Sequence, residues 1–556
     1  MAPNTTCHLP NGQNLTVTPV FGGLYFKSNE LAGHHGAAFP PGWTVVLNSE
    51  DSDSDDEDDY NGRDPSGDLD IPRSSLEPRP VSYPSSRAGT PKSASKPHMV
   101  HRYTRPTLRS DHLFISSISQ PNNADFKPVT SPSRQIAMML WATLWWYFHQ
   151  PEPDARLHTK ASEHTKEQGK PKGEWRININ REGVFKSKVV LPKLERMGLI
   201  SSEESYVGSE DGEKTGEGWK KMFVSRRAFW QLDARIYLFT MAPTSGSPFP
   251  SSTPVHSRPG SPNRQVDERR EIGASSSVGT FTPTGAAHHH SASNPFHSSS
   301  HLPTYYPPPP TQFVMTDGVI HPLRPKPPRP GETFYTRYVP SVGQYLSFRA
   351  ASSSLKPHVH NGPVSSPPLA ASIKERHSDS IVSTMQGLNI QACDCELLHK
   401  WMNQPRVSEF WGTAGPQSVQ DEFLRKALKS KHSFPVIGCW DGKPFGYFEI
   451  YWVKEDQLGR YAIDVGNYDR GLHVLVGEEE FRGPHRVRIW LSALVHFCWL
   501  ADNRTECVMM EPRVDNEKLL NYAMDVGFYK QTEISFPHKQ ANLLRIRRDA
   551  WNAPVL

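Results

Sequence analysis

The sequence predicts an α+β protein with two folded regions joined by disordered inserts. Three observations carry that reading. Composition changes in blocks: 51 prolines, runs of Ser and Gly and one acidic tract fall in stretches that cannot bury a core, and aromatic residues crowd the rest. The last 170 or so residues alternate helical and strand periodicities as helix, helix, three strands, helix, strand, helix, two strands. An upstream Trp-rich apolar helix is followed by strand-like runs.

In chain order, residues 1–48 read as a β-rich start, with apolar residues alternating among Gly and Pro. Residues 49–106 read as an insert. It opens on eight acids in the ten residues 50–59, a block that repels itself and stays solvated. Ser52 and Ser54 lie within it. Residues 107–241 read as an α+β domain. It holds the helix 136–148 with Trp141, Trp145 and Trp146, a strand at 175–179, an amphipathic stretch at 184–199 in which Pro192 starts the helix, and a strand at 236–239. Residues 242–303 read as a linker, His288 to His290 included. Residues 304–350 form a Pro- and aromatic-rich segment that is partly ordered. Its prolines at 307–310 and 325–330 suit polyproline II, as spacers or as ligands for Pro-rich-motif-binding proteins. Residues 351–386 are again linker, and 387–556 are one domain.

Within that domain helices are expected at 395–402 and 418–429. Strands at 434–440 and 445–453 are joined by Asp441-Gly442, a hairpin-turn dipeptide. A strand at 471–477 leads to a helix begun by Pro484, whose Val487, Trp490, Leu491, Leu494 and Cys498 share one face. A strand at 505–510, a helix at 516–526 capped by Gly527 and strands at 528–536 and 541–546 complete the order.

The chemistry concentrates in two neighbouring pieces. One is the apolar strand around His473, an imidazole suited to act as a general base. The other is the loop Phe481-Arg-Gly-Pro-His-Arg486 at a helix start. Free N–H groups, the helix dipole, Arg482, Gly483, His485 and Arg486 together favour a diphosphate. A base beside an anion cradle points to group transfer from a phosphate-bearing donor.

The element order and this loop resemble the GCN5-related N-acetyltransferase (GNAT) superfamily, although its pattern Arg/Gln-x-x-Gly-x-Gly/Ala is matched well only at Gly483. A narrower resemblance rests on three motifs in order: Leu398-His-Lys-Trp-Met-Asn-Gln-Pro-Arg-Val-Ser-Glu-Phe-Trp411, Asp469-Arg-Gly-Leu-His-Val-Leu-Val-Gly477 and Glu511-Pro-Arg-Val-Asp-Asn516. These resemble the siderophore-biosynthesis acyltransferases. The longer fungal members of that family carry a divergent GNAT-like half before the active one. The resemblance implies a C-terminal GNAT fold, a mixed sheet flanked by helices, and a GNAT-like or other α+β N-terminal domain.

It also implies acyl-CoA as co-substrate, acetyl being the simplest, and hydroxylated ornithine or lysine as acceptor. Anhydromevalonyl transfer is the bulkier alternative. His473 becomes the catalytic base, and His399, Trp401, Asn403, Trp411 and Glu511 border the acceptor. Bacterial relatives place an acid directly after the Pro of the third motif. Arg513 stands there in this chain, so Asp515 and Glu511 are both candidates for the acid that works with His473.

Charge and cysteine usage bear on other function classes. The basic residues Lys186, Lys188, Lys193, Lys220, Lys221, Arg226 and Arg227 on a helix–turn–strand run would suit a DNA-binding winged helix, or a scaffold with an inactive acyltransferase-like domain. A net charge of +4 on 556 residues gives little support to nucleic acid. Cys393-x-Cys395 has no second pair, so no metal is expected. Six scattered cysteines suit a reducing compartment. No signal peptide, membrane span or peroxisomal ending is read, which leads to the expectation of a cytoplasmic enzyme.

Overall fold

The computed structural model describes residues 5–29, 39–50, 100–119, 132–187, 189–202, 222–233, 311–360, 362–365 and 392–556. Residues 51–99 of the expected insert, the strand at 236–239, the histidine tract and the prolines at 307–310 lie outside them, whereas the ends of that insert, 49–50 and 100–106, are described and include strand residues.

The N-terminal half is built on strands β1 (Thr5–His8), β2 (Asn14–Val20), β3 (Gly23–Ser28), β4 (Gly42–Glu50), β5 (Val100–Arg102), β6 (Asp111–Ser119), β7 (Arg176–Ile179), β8 (Ser201–Ser202) and β9 (Met222–Ser225). Its helices are α1 (Pro132–Phe148), α2 (Val190–Arg196) and α3 (Arg226–Trp230). A separate hairpin, β10 (Phe313–Thr316) and β11 (Val319–Pro322), leads to the second half. That half has β12 (Thr333–Val339), β13 (Gln344–Ala350), β14 (Ser433–Trp440), β15 (Lys443–Trp452), β16 (Arg470–Val476), β17 (Cys507–Met510), β18 (Tyr529–Ser535) and β19 (Gln540–Arg547). Its helices are α4 (Asp394–Met402), α5 (Pro405–Trp411), α6 (Gln417–Lys429), α7 (Pro484–Ala501) and α8 (Glu517–Val526).

The two sheets follow one path. The first runs β1-β2-β3-β4-β6-β7-β9-β8, with β5 beside β4; the second runs β12-β13-β14-β15-β16-β17-β19-β18. Each has one short parallel pair, β6 with β7 and β16 with β17, and each crossover carries the long helix, α1 or α7. Register makes the halves comparable residue by residue. Leu113 pairs with Ile179 as Gly471 pairs with Met509. Two residues on stand Ile115 in one half and His473 in the other. Opposite them stand Val45 and Glu449. The N-terminal half therefore holds two buried aliphatic side chains where the C-terminal half holds an acid and an imidazole.

Local chemistry explains the elements. Asp441 and Gly442 have φ of 45° and 80°, the left-handed pair that a tight two-residue hairpin needs. The Asn516 side chain caps α8 by accepting from the Leu519 N–H, and Gly527 ends it at φ 108°. Pro484 sits in the first turn of α7, where its missing N–H costs nothing. Helix α5 was not expected, although Pro405 at its start and left-handed Gly412 at its end are both sequence signals.

The β12–β13 hairpin, read from sequence in a segment apart from residues 387–556, opens the second sheet: β13 pairs with β14 from Leu346 opposite Trp440 to Ala350 opposite Val436. One apolar core runs through both halves, from Trp43 and Trp141 to Phe448, Trp490 and Trp499. Each such fully buried aromatic contributes on the order of 1.5–3 kcal/mol. Among the described residues no helix is long and apolar enough to cross a membrane.

Candidate active site

The site lies where β16 stops pairing with β17. Parallel pairing covers only Arg470 and Gly471, so from Leu472 onward the edge of β16 toward β17 is open, while its other edge stays paired with β15 to Val476. His473 projects here with its side chain 33 % exposed.

Both ring nitrogens face carboxylates. Nδ1 is 2.8 Å from Oε2 of Glu449, directly opposite on β15. Nε2 is 2.6 Å from Oε1 of Glu511, just past the end of β17. Each acid has a phenol behind it. Tyr451 donates to Glu511 at 2.7 Å and Tyr447 donates to Glu449 at 2.9 Å. Lys539 stands 3.5 Å from the Glu511 carboxylate and donates to its backbone carbonyl. Tyr451 lies against Gly471, where an added Cβ would come within 2.0 Å of its ring, so only glycine fits that strand position. Ring packing on His473 comes from Tyr451 at 4.6 Å and, edge on, from Trp411 at 6.5 Å.

Electrostatics follow from the two acids. Burial works against a charge on His473, but the Glu511 charge and the hydrogen bonds to both carboxylates outweigh it. The imidazole is held well above the ordinary histidine value. Burial opposes the Glu511 charge too, yet His473 pulls that carboxyl down to about 2. Burial and Glu511 push the Tyr451 hydroxyl well above the usual phenol value, so it stays a donor. Two acids, Glu449 on β15 and Glu511 just past β17, raise the affinity of this imidazole for a proton.

Of the two candidate acids, Asp515 and Glu511, only Glu511 stands at the imidazole. Asp515 is spent on Arg513 in an exposed two-oxygen, two-nitrogen pair, and its place at the imidazole belongs to Glu511. Of the residues expected around the acceptor, Trp411 and Glu511 gather at His473. His399 bonds Gln420, and Asn403 bonds His399 and both backbone groups of Gly415, so these side chains tie α4 to the following loop. Trp401 is fully buried under Gly477 and donates to Glu478 at 2.8 Å. Arg406 was not foreseen. It donates to the carbonyls of Val476 and Gly477, both at 2.7 Å, and pins α5 to the end of the histidine strand.

The anion cradle has the expected parts. Gly483 precedes α7 at φ 126°, a conformation that favours glycine. Arg486 stacks over Trp440 and Phe481, bonds Gln344 through Nη2, and buries Nη1 without a partner. Arg482 pairs with Glu479 at the surface, and His485 is exposed beside the Gly483 backbone. An orphaned guanidinium N–H at a helix start fits the diphosphate of a CoA thioester. Of the basic residues considered for DNA, Lys193 bonds Ser133, Arg226 pairs with Glu152 and Arg227 bonds Asn552, while Lys186 is exposed. Lys188, Lys220 and Lys221 lie outside the described residues. All six cysteines are buried.

An open strand edge beside a cradle at the crossover helix, with a histidine between, defines an acyltransferase of the GNAT class. The family model for the acetyltransferase (GNAT) domain matches residues 391–536. The N5-hydroxyornithine acetylase sidL of Beauveria bassiana is 45% identical over 570 residues, 97% of this chain and 100% of that protein. The putative lysine N-acyltransferase C17G9.06c of Schizosaccharomyces pombe is 38% identical over 41% of this chain and 57% of its own length. The N(6)-hydroxylysine O-acetyltransferase of Escherichia coli is 36% identical over 40% of this chain and 58% of its own length. The chain belongs to the siderophore-biosynthesis N-acyltransferase family. It is an N-acyltransferase, and the co-substrate of such enzymes is an acyl-CoA.

Proposed function

We propose that the enzyme transfers an acetyl group from acetyl-CoA to the hydroxylated side-chain nitrogen of N5-hydroxyornithine, giving a hydroxamate for an iron chelator. The observation that supports this most is the full-length likeness to an N5-hydroxyornithine acetylase, which covers both halves and not the GNAT domain alone. In the reaction the nitrogen lone pair attacks the thioester carbonyl. The N–C bond forms, the C–S bond breaks, the nitrogen loses one proton, and the thiolate gains one.

His473 is the base in this reading, with Glu449 and Glu511 orienting it and raising its basicity. A hydroxylamine nitrogen is neutral near pH 7, so a base is needed only as the tetrahedral intermediate forms. A backbone N–H on the open edge of β16 holds the oxyanion in this reading. Arg482, Gly483, His485 and Arg486 hold the CoA diphosphate. Trp411 and the acid pair border the acceptor, whose amino-acid head carries a cation that Glu449 can face. Burial pushes the Cys439 thiol up to about 11 and Cys498 to about 12, so direct transfer in a ternary complex is favoured over an acyl-enzyme.

The test is CoA-thiol release with a panel of acetyl-, longer- and branched acyl-CoAs against N5-hydroxyornithine, N6-hydroxylysine and ornithine. Acetyl-CoA with hydroxyornithine is the expected best pair. Turnover with hydroxylysine alone moves the acceptor. A preference for a bulky branched donor moves the acyl group. No turnover with any hydroxylated diamino acid overturns the proposal.

A further inference from the structure

Where β16 and β17 part, α5 bridges the gap between them. It is seven residues long and buries one side chain, Val407. A helix this short holds through its packing, and one buried side chain supplies little of it. Two arginines seat it instead. At its start Arg406 donates to the carbonyls of Val476 and Gly477, at the end of β16. Near its other end Arg513, from the segment that follows β17, donates through Nη1 to the Glu409 carbonyl at 2.8 Å. The same guanidinium stacks on Phe410, 4.6 Å from the ring centre.

The second anchor is built for that contact. The last carbonyls of a helix lack partners within it, and that end favours a cation. Arg513 reaches out from a fixed base. The Asn542 N–H donates to the Pro512 carbonyl and the Val514 N–H to the Gln540 carbonyl, which ties this stretch to the start of β19. Asp515 takes Nε and Nη2 at 2.8 and 2.5 Å and so directs Nη1 at α5. A surface ion pair adds little stability by itself. What this one fixes is direction.

Trp411 is the last residue of α5. Its ring packs against Tyr447 and Phe423 and meets His473 edge on. A shift at this end of α5 therefore moves the aromatic wall beside the base.

We propose that α5 is the lid of the acceptor site and that Arg513 is the latch that holds it shut. Arg513 is a positioning residue: it acts through α5 and Trp411 and touches no reacting atom. This rests on the reading that the acceptor lies beside Trp411 and His473. Without the latch the lid stands open for more of the time, and acceptor binding has to close it. Apparent affinity then falls with the closed fraction, while the closed complex reacts as before.

The experiment is steady-state CoA-thiol release by the full chain, varying acyl-CoA and the hydroxylated diamino acid separately. In Arg513→Ala the acceptor KM should rise roughly tenfold, the worth of one hydrogen bond to a charged group. The acyl-CoA KM and kcat should stay within about twofold. Phe410→Ala changes an exposed ring and keeps the arginine, so it tests the same contact without risk to the fold. It should raise the acceptor KM about two- to fivefold, as loss of an exposed cation–π contact does. A lower kcat at unchanged acceptor KM marks a merely structural contact and overturns the proposal. So does an equal rise in both KM values, or a rise in neither. A wild type that turns over no hydroxylated diamino acid overturns the acceptor reading and the lid with it. Wild-type turnover with an unshifted acceptor KM in both variants overturns the lid alone.

Discussion

Replacing Glu449 with Gln isolates one acid of the pair on His473. Its Oε2 lies 2.8 Å from Nδ1, in a side chain 18% exposed. An opposite charge at this range moves a titrating group by roughly one to three pH units. Glu449 is one of the two acids that hold the imidazole up, through its hydrogen bond and its charge. The sign is set by charge: a carboxylate raises the imidazole, so its removal lowers it. The assay is kcat/KM against pH for CoA-thiol release, with the same acceptor for both enzymes. The acceptor's own ionisation is then common to both curves. In the wild type the acid limb should lie above the ordinary histidine value of 6.5. In Glu449→Gln it should lie lower, because the base loses its proton more easily. Coincident limbs, or a limb moved upward, would refute the electrostatic account of the site.

Two further predictions test its construction. Gly471→Ala places a Cβ within 2.0 Å of the Tyr451 ring. It should cost about 1–3 kcal/mol in denaturant unfolding, as overpacking does, and should lower kcat by displacing the phenol from Glu511. Asp515→Asn should leave kcat within about twofold, far below the effect of removing an acid–base group, since its carboxylate pairs with Arg513 at the surface.

Local features of the second half were legible because their causes are local. The Asp441-Gly442 turn, the caps at Asn516 and Gly527 and the start at Pro484 each follow from one residue's backbone chemistry. His473 was legible as a polar residue in an apolar strand. Its partners were harder, because they come from 24 and 38 residues away in sequence. Glu449 did leave a signal: it is a lone acid in the apolar run of β15. Glu511 competed with Asp515 on paper, and what separates them is Arg513, which captures the nearer carboxylate. The β12–β13 hairpin was read apart from its sheet because strand pairing across a long connection has no local signature. The shared path of the two sheets was anticipated only through the family resemblance, since strand pairing leaves no local signature. Val45 and Ile115 keep the strand pattern of Glu449 and His473 but none of their chemistry.

The most direct test of the central claim is His473→Ala, with acetyl-CoA and N5-hydroxyornithine as substrates and CoA affinity measured separately by calorimetry. Loss of a positioned general base should lower kcat by roughly 10²–10⁴-fold. CoA affinity should be unchanged, because the cradle at Gly483 and Arg486 is left intact. A rate within about twofold of the wild type, far short of a base's usual contribution, would contradict the claim.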